Sequence, residues 1–383
     1  MAGPLAGVKV LELAGIGPGP FAAMLLADLG ADVVRVHRSQ SVENGVDPGG
    51  VPIMDRNRRS IGIDLKNPDG VETLLRLVES ADALIEGFRP GVTERLGIGP
   101  DVCLARNERL VYGRMTGWGQ EGPLAQAAGH DINYIALAGA LAHFGRAGEK
   151  PTPPINLVGD FGGGGMFLAF GVVCAILEAR GSGSGQVVDA AMVDGAATLM
   201  SFVWGMRAYG VFNEERGTNL LDSGAPHYDT YETSDGQFIA LGALEAQFYE
   251  EFLEKTGLVS ENLPPVTDKS SWPELKIRFT ELFKSKTRSE WCSLLEGSDA
   301  CFAPVLPMSE AAVHPHIVDR KTIVEFEGLL QPAPAPRFSR TPGEIRSGVA
   351  IPGQHTDEVL LEWGISAEEV KDLHARGAVR RSA

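Results

Sequence analysis

The sequence predicts an α/β protein: an open, Rossmann-like parallel sheet forming a large domain, plus a small α+β domain. Three observations carry this. Strand-like and helix-like runs alternate up to residue 190 or so. A hairpin pattern appears after residue 225. The 383-residue length, with 44% hydrophobic residues, suits two cores rather than one.

The elements follow in order. "GVKVLELAG" (7–15) reads as a buried strand, "GPFAAMLLADLG" (19–30) as a helix and "ADVVRVHR" (31–38) as a second strand. That spacing indicates a parallel α/β unit. "GVETLLRLVESA" and "DALIEGF" add a helix and a strand, and "RLVYGRMTG" a further strand. "SVENGVDPGGVP" (41–52) reads as a turn-rich loop. "MFLAFGVVCAIL" (166–177) reads as a core helix too short to span a bilayer, and "VVDAAMV" as a strand after the turn "GSGSGQ". "HYDTYETSDGQFIALGAL" (227–244) reads as two antiparallel strands around Ser234-Asp235-Gly236, with amphipathic helices after it. The proline-rich "QPAPAPRFSRTPG" (331–343) leads to two closing helices in 356–377. The domain reading is 1–190 for the large domain, 191–225 for a linker and 226–315 for the small domain. Residues 316–335 form a return linker, and 336–383 complete the large domain.

Bulk properties exclude several classes. With 34 basic and 50 acidic residues the net charge is −16, which disfavours nucleic-acid binding. Cys103, Cys174, Cys292 and Cys301 form no C-x-x-C pair, so neither zinc nor a disulfide framework is expected, and buried free thiols are the default. No signal peptide or peroxisomal tripeptide is read at the ends, and a cytoplasmic protein without membrane attachment is the expectation.

Two glycine motifs mislead. "GIGPGP" (15–20) has Pro20 where a dinucleotide fingerprint needs its third glycine. The second strand ends in His37 and Arg38 rather than an acidic residue for ribose, which argues against NAD. "DFGGGG" has the kinase triplet without the other kinase motifs.

Arg35, Arg38, Arg56, Arg58, Arg59, Lys66, Arg89 and Arg95 concentrate basic charge at strand ends and the following loops. Ligands of open α/β sheets bind beyond the carboxyl ends of the strands, so Arg38 and Arg89 are expected to face one crevice. The functional reading is a site for a multiply phosphorylated, adenine-type ligand; a solvated face is the alternative.

Three acid–base groups sit at helix starts. His130-Asp131 separates a loop from an apolar helix, Asp160 joins an extended segment to a glycine turn, and Glu245 opens "AQFYEEFLEK". Each could be a helix cap or dipole partner. An imidazole and a carboxylate flanking a carbon acid could instead pass a proton in either direction, with helix-start N–H groups receiving the oxyanion.

The stretches "AGIGPGPFAAMLLADLGADVVRV", "RNRRSIGIDLK", "LIEGFRPGVTERLG", "RMTGWGQEGP", "AGHDINYIALAG", "NLVGDFGGGGMFLAFG" and "GQVVDAAMVDG" resemble the alpha-methylacyl-CoA racemases, of the family III CoA-transferase superfamily. The likeness covers nearly the whole chain, with the C-terminal tail unmatched. It implies His130 and Asp160 as the proton-transfer pair, supported by Glu245 and Asp131. It implies that Gly129 to Tyr134 contact the thioester and pantetheine. Arg38, the run Ile63, Asp64, Leu65, Lys66, the run Gly87, Phe88, Arg89, and Arg95 would hold the CoA nucleotide. The implied substrate is a 2-methylacyl-CoA, with no metal and no cofactor beyond the CoA the substrate carries. The implied assembly is an interlocked homodimer with Glu245 reaching His130 across subunits. Two other readings stand beside it: a family III CoA-transferase with Asp160 as nucleophile, and an acyl-CoA-binding protein with a relic site.

Overall fold

The computed structural model describes residues 3–47 and 50–382; Met1, Ala2, Pro48, Gly49 and Ala383 lie outside the described residues. The chain divides into two compact units. Residues through 138, 155–200 and from 321 onward form the first, and 139–154 with 201–320 form the second.

The first unit is built on six parallel strands: β1 (Lys9–Leu13), β2 (Asp32–His37), β3 (Arg59–Ile63), β4 (Ala83–Glu86), β5 (Val111–Thr116) and β6 (Gln186–Ala191). They lie in the order β3-β2-β1-β4-β5-β6, and a two-residue C-terminal strand, Val379–Arg380, adds antiparallel to β3. This is the doubly wound order, with its switch point between β1 and β4. The period-two alternation of strands explains why both faces must be covered. Leu11 and Val34 enter one apolar cluster with Leu74 and Leu77 of the helix Pro68–Val78 and with Val359 and Trp363. Val10 and Val33 enter another, with Ala23 of the helix Pro18–Asp28 and Leu168 and Val172.

The second unit holds a three-stranded antiparallel sheet, β7 (Tyr228–Glu232), β8 (Phe238–Gly242) and β9 (Phe302–Pro304), in that order. The expected hairpin is present, and β9 extends it. Tyr231, Ile239, Phe252, Phe279, Phe283 and Trp291 form its own core.

Several boundaries differ from the sequence reading. Residues 139–154 pack with the second unit, and 191–200 with the first, because Met192–Leu199 is a helix that follows β6 and packs on Leu157–Gly165. Part of the 41–52 loop is helical, within Ser39–Asn44. The apolar helix does not begin at Met166: helical geometry runs continuously over Leu157–Ser182, 26 residues, long and apolar enough to cross a membrane by length and composition. Here Leu168, Val172, Ala175 and Ile176 bury one side of it in the sheet cluster. Only one cysteine, Cys103, is buried; Cys174 is exposed, and Cys292 and Cys301 are partly so.

Candidate active site

His130 occupies the N-cap position of the helix Asp131–Leu137, with an extended backbone at φ −134° and ψ 174°. Its own N–H donates to Asn133 Oδ1 at 3.0 Å, and its carbonyl accepts from Asn133 N at 2.8 Å. Those two bonds fix the turn and leave the His130 residue exposed. Among the described residues the amides of Asp131 and Ile132 donate to no protein group, as expected for the first turn of a helix.

Asp160 sits in a π-helical stretch, Leu157–Gly165. Wide turns of this kind concentrate at functional sites. The glycines of LVGDFGGGG let neighbouring segments approach this stretch closely. A Cβ on Gly195 would lie 1.8 Å from the Gly163 carbonyl oxygen, and one on Gly165 2.8 Å from the Pro18 carbonyl. The Asp160 carboxylate accepts from Asn156 Nδ2 at 3.2 Å. It also lies 3.9 Å from where a side chain on Gly17 would begin, so the glycine loop after β1 borders the acid. Burial pushes the Asp160 carboxyl above the usual carboxylate range and the Asp131 charge adds to this, while the Asn156 hydrogen bond and His130 pull it down.

Asp131 joins these two segments. It is 5% exposed. Its Oδ2 accepts from Gly159 N at 2.6 Å and Asp160 N at 2.8 Å, so the carboxylate that follows His130 binds the backbone that carries Asp160. Tyr134, one turn further, donates to the Gly129 carbonyl at 2.5 Å. Its ring packs edge-on against Trp118, centroids 4.8 Å apart, in space that side chains at Gly117 and Gly129 would fill. Burial raises the Tyr134 hydroxyl above its ordinary value; the Asp160 charge adds to this and Arg89 opposes it. Gly129, His130, Asp131, Tyr134 and Asp160 thus gather in one place.

Arg38, Ile63, Asp64, Leu65, Lys66 and Phe88 line a cleft of about 600 Å³ at the carboxyl ends of β1 to β4. The Arg38 guanidinium lies 5.9 Å from the Phe88 ring centre. Gly87, Arg89 and Arg95 do not line this cleft. Arg89 faces Tyr134 electrostatically instead, and the Arg95 guanidinium folds back to 3.3 Å from the Cβ position of Gly91. Among the described residues Arg38, Lys66, Arg89 and Arg95 form no ion pair.

The rest of the basic cluster is committed elsewhere, which corrects the phosphate reading for it. Arg35 pairs with Glu12 at 3.3 Å, Asp47 at 2.7 Å and Asp55 at 2.8 Å. Arg58 pairs with Glu12 and Asp55, Arg56 with Asp28 at 2.6 Å, and Arg59 with Asp32 and Glu362, each at 2.6 Å. Arg35, Arg56 and Arg58 are buried, so these pairs neutralise one another inside the fold.

Glu245 lies in the second unit as the N-cap of the helix Ala246–Thr256. It is exposed and forms no ion pair among the described residues.

Sequence reasoning missed four supporting residues. Asn156 precedes Asp160 by one turn, a signal only if the helix is known to begin so early. Trp118 is reached only through the fold. Glu86 and Arg114 are register partners on β4 and β5, which no local pattern reveals. Glu86 accepts from Arg114 Nε at 2.9 Å and from Phe88 N at 2.7 Å, and Arg114 also reaches Glu94 at 2.8 Å, fixing the Gly87–Arg89 turn.

The model of CoA-transferase family III matches residues 5–356, and the chain belongs to that family. It is 48% identical to the alpha-methylacyl-CoA racemase of Mus musculus over 374 residues, 97% of this chain and 96% of that one. The alpha-methylacyl-CoA racemase of Homo sapiens is 45% identical with the same coverage. In fold, the chain matches the crystal structure of a CAIB/BAIF family protein from Brucella suis with a TM-score of 0.81 and 23% identity, covering 95% of this chain and 100% of that one.

Proposed function

We propose that this protein interconverts the (2R) and (2S) forms of 2-methylacyl-CoA thioesters by moving one proton at C2. The observation that carries the reading is the Asp131 clamp, which ties the residue after His130 to the amide of Asp160. The similarity to two alpha-methylacyl-CoA racemases over 97% of the chain supports the same chemistry.

In this reading the thioester carbonyl acidifies the C2 proton. His130 or Asp160 removes it, depending on the enantiomer, and the other group returns a proton to the opposite face. The helix-start amide of Asp131 receives the enolate oxygen. Partial burial of Asp160 suits this role, since a carboxyl raised above its usual range holds a proton more readily. Gly129 and Tyr134 border the thioester, and the cleft with Arg38 and Lys66 takes the nucleotide. The CoA belongs to the substrate, and a one-proton transfer calls for no further cofactor. The reading extends to a homodimer in which Glu245 of one copy supports His130 of another; a monomeric mass in sedimentation would remove that extension.

The test is C2-proton exchange in D2O on one 2-methylacyl-CoA enantiomer. Deuterium uptake with inversion is expected, with His130→Ala abolishing inversion. Near-normal turnover by that variant refutes the assignment. Hydroxylamine capture of an acylated Asp160 during turnover would point instead to CoA transfer.

A further inference from the structure

The cleft holding Arg38 and Lys66 has a further cationic wall. Arg380 of the C-terminal strand lines it too. That strand is pinned as backbone. Val379 and Arg380 pair with Ile63 and Gly62. A Cβ on Gly62 would lie 2.5 Å from the Arg380 carbonyl oxygen, so glycine is what lets the strand approach. Thr356 Oγ1 donates to that carbonyl at 2.7 Å, and the next residue, Arg381, pairs with Asp357 at 2.9 Å. Only the Arg380 side chain is lightly held. It pairs with Glu43 at 2.8 Å, both groups being about half exposed, and an exposed pair of that kind is weak.

We propose, resting on the CoA-thioester reading above, that Arg380 binds a phosphate of the substrate's nucleotide, with Glu43 as the internal group that the phosphate displaces. Three cations, Arg38, Lys66 and Arg380, enter one cleft from the ends of β2 and β3 and from the C-terminal strand. Leu13, Val36, Ile63 and Phe88 supply the apolar surface beside them, which suits a heteroaromatic ring carrying phosphate. A guanidinium offers a phosphate paired donors, and a multiply charged phosphate competes well against one solvated carboxylate. Two phosphate groups of CoA share this chemistry, the 3′-phosphate and the diphosphate bridge.

The experiment uses the full chain and three 2-methylacyl thioesters: of CoA, of dephospho-CoA lacking the 3′-phosphate, and of pantetheine lacking the nucleotide. C2-proton exchange gives KM and kcat for each. Arg380→Gln is expected to raise KM for the CoA thioester roughly tenfold, about 1.4 kcal/mol. The change falls in KM rather than kcat, the pantetheine thioester is unaffected, and Arg380→Lys recovers most of the loss. A dephospho thioester insensitive to the substitution assigns the 3′-phosphate, and one that loses as CoA does assigns the diphosphate; both support the proposal. An unchanged KM for the CoA thioester overturns it. So does an equal loss on the pantetheine thioester, which marks general damage to the fold. If the racemase reading itself fails, wild-type protein exchanges none of the three, and calorimetric titration of CoA against wild type and Arg380→Gln still decides the role of Arg380.

Discussion

Replacing Asp131 separates two ways in which a buried carboxylate can serve this site. Both backbone donors, Gly159 N at 2.6 Å and Asp160 N at 2.8 Å, converge on the same oxygen, Oδ2. An asparagine can therefore place its amide oxygen there and keep both bonds, losing only their charge assistance. Alanine loses both bonds and leaves a buried N–H at Gly159 without a partner. A hydrogen bond to a charged group is worth about 1.5–3 kcal/mol and a neutral one about half that. Asp131→Asn is thus expected to cost about 1.5–3 kcal/mol in holding the Asp160 turn, and Asp131→Ala about 3–6 kcal/mol. Amide exchange at Gly159 and Asp160, followed by mass spectrometry, reads this directly: roughly tenfold faster per 1.4 kcal/mol, so tenfold or more for asparagine and at least a hundredfold for alanine. Exchange of the substrate C2 proton should fall in the same order. Alanine and asparagine variants with equal losses would refute the hydrogen-bond reasoning. An alanine variant within twofold of wild type in both assays would refute the clamp itself.

Two further outcomes follow from the geometry. Asn156→Ala removes the hydrogen bond that favours the charged Asp160 carboxylate, so an already raised carboxyl rises further. In the direction where Asp160 removes the proton, activity is lost as pH falls through that value. The acid limb of a kcat/KM profile therefore moves to higher pH, with roughly two- to tenfold less activity at its foot; a limb that stays or moves to lower pH contradicts this. Gly195→Ala places a Cβ 1.8 Å from the Gly163 carbonyl oxygen, a backbone contact that no rotamer relieves. About 3 kcal/mol or more of stability should be lost, seen as a lower urea midpoint, and an unshifted midpoint would show that the two helices separate freely.

The sequence made the alternating strands and helices of the parallel sheet, and the polar residues at helix starts, legible because both depend on local pattern. Val10 and Leu11, or Val33 and Val34, show by alternation that both faces of their strands are covered. His130 stands out because a polar pair interrupts the change from loop to apolar helix. The arginines show the limit. Arg35 and Arg38 look alike in sequence, three residues apart around one strand end. Arg35 is consumed by Glu12, Asp47 and Asp55, whereas Arg38 faces the cleft. Those carboxylates come from three other positions in the chain, so only the register of β1 on β2 and the path of the following loop decide the matter. The start of the π-helical stretch was hidden for a related reason. Four glycines read as a turn until Gly195 and Pro18 are known to press against them.

That glycine run also sets how the molecule can be re-engineered. Gly163, Gly164 and Gly165 are buried against backbone or side-chain atoms from other helices, while Leu157 and Met166, at the two ends of the segment 157–166, are well exposed. A saturation library across 157–166 should therefore be lopsided, permissive at its flanks and nearly closed in the middle. Efforts to retune the acyl group accepted would do well to spend their diversity on the flanks, where the backbone that carries the carboxylate is left undisturbed.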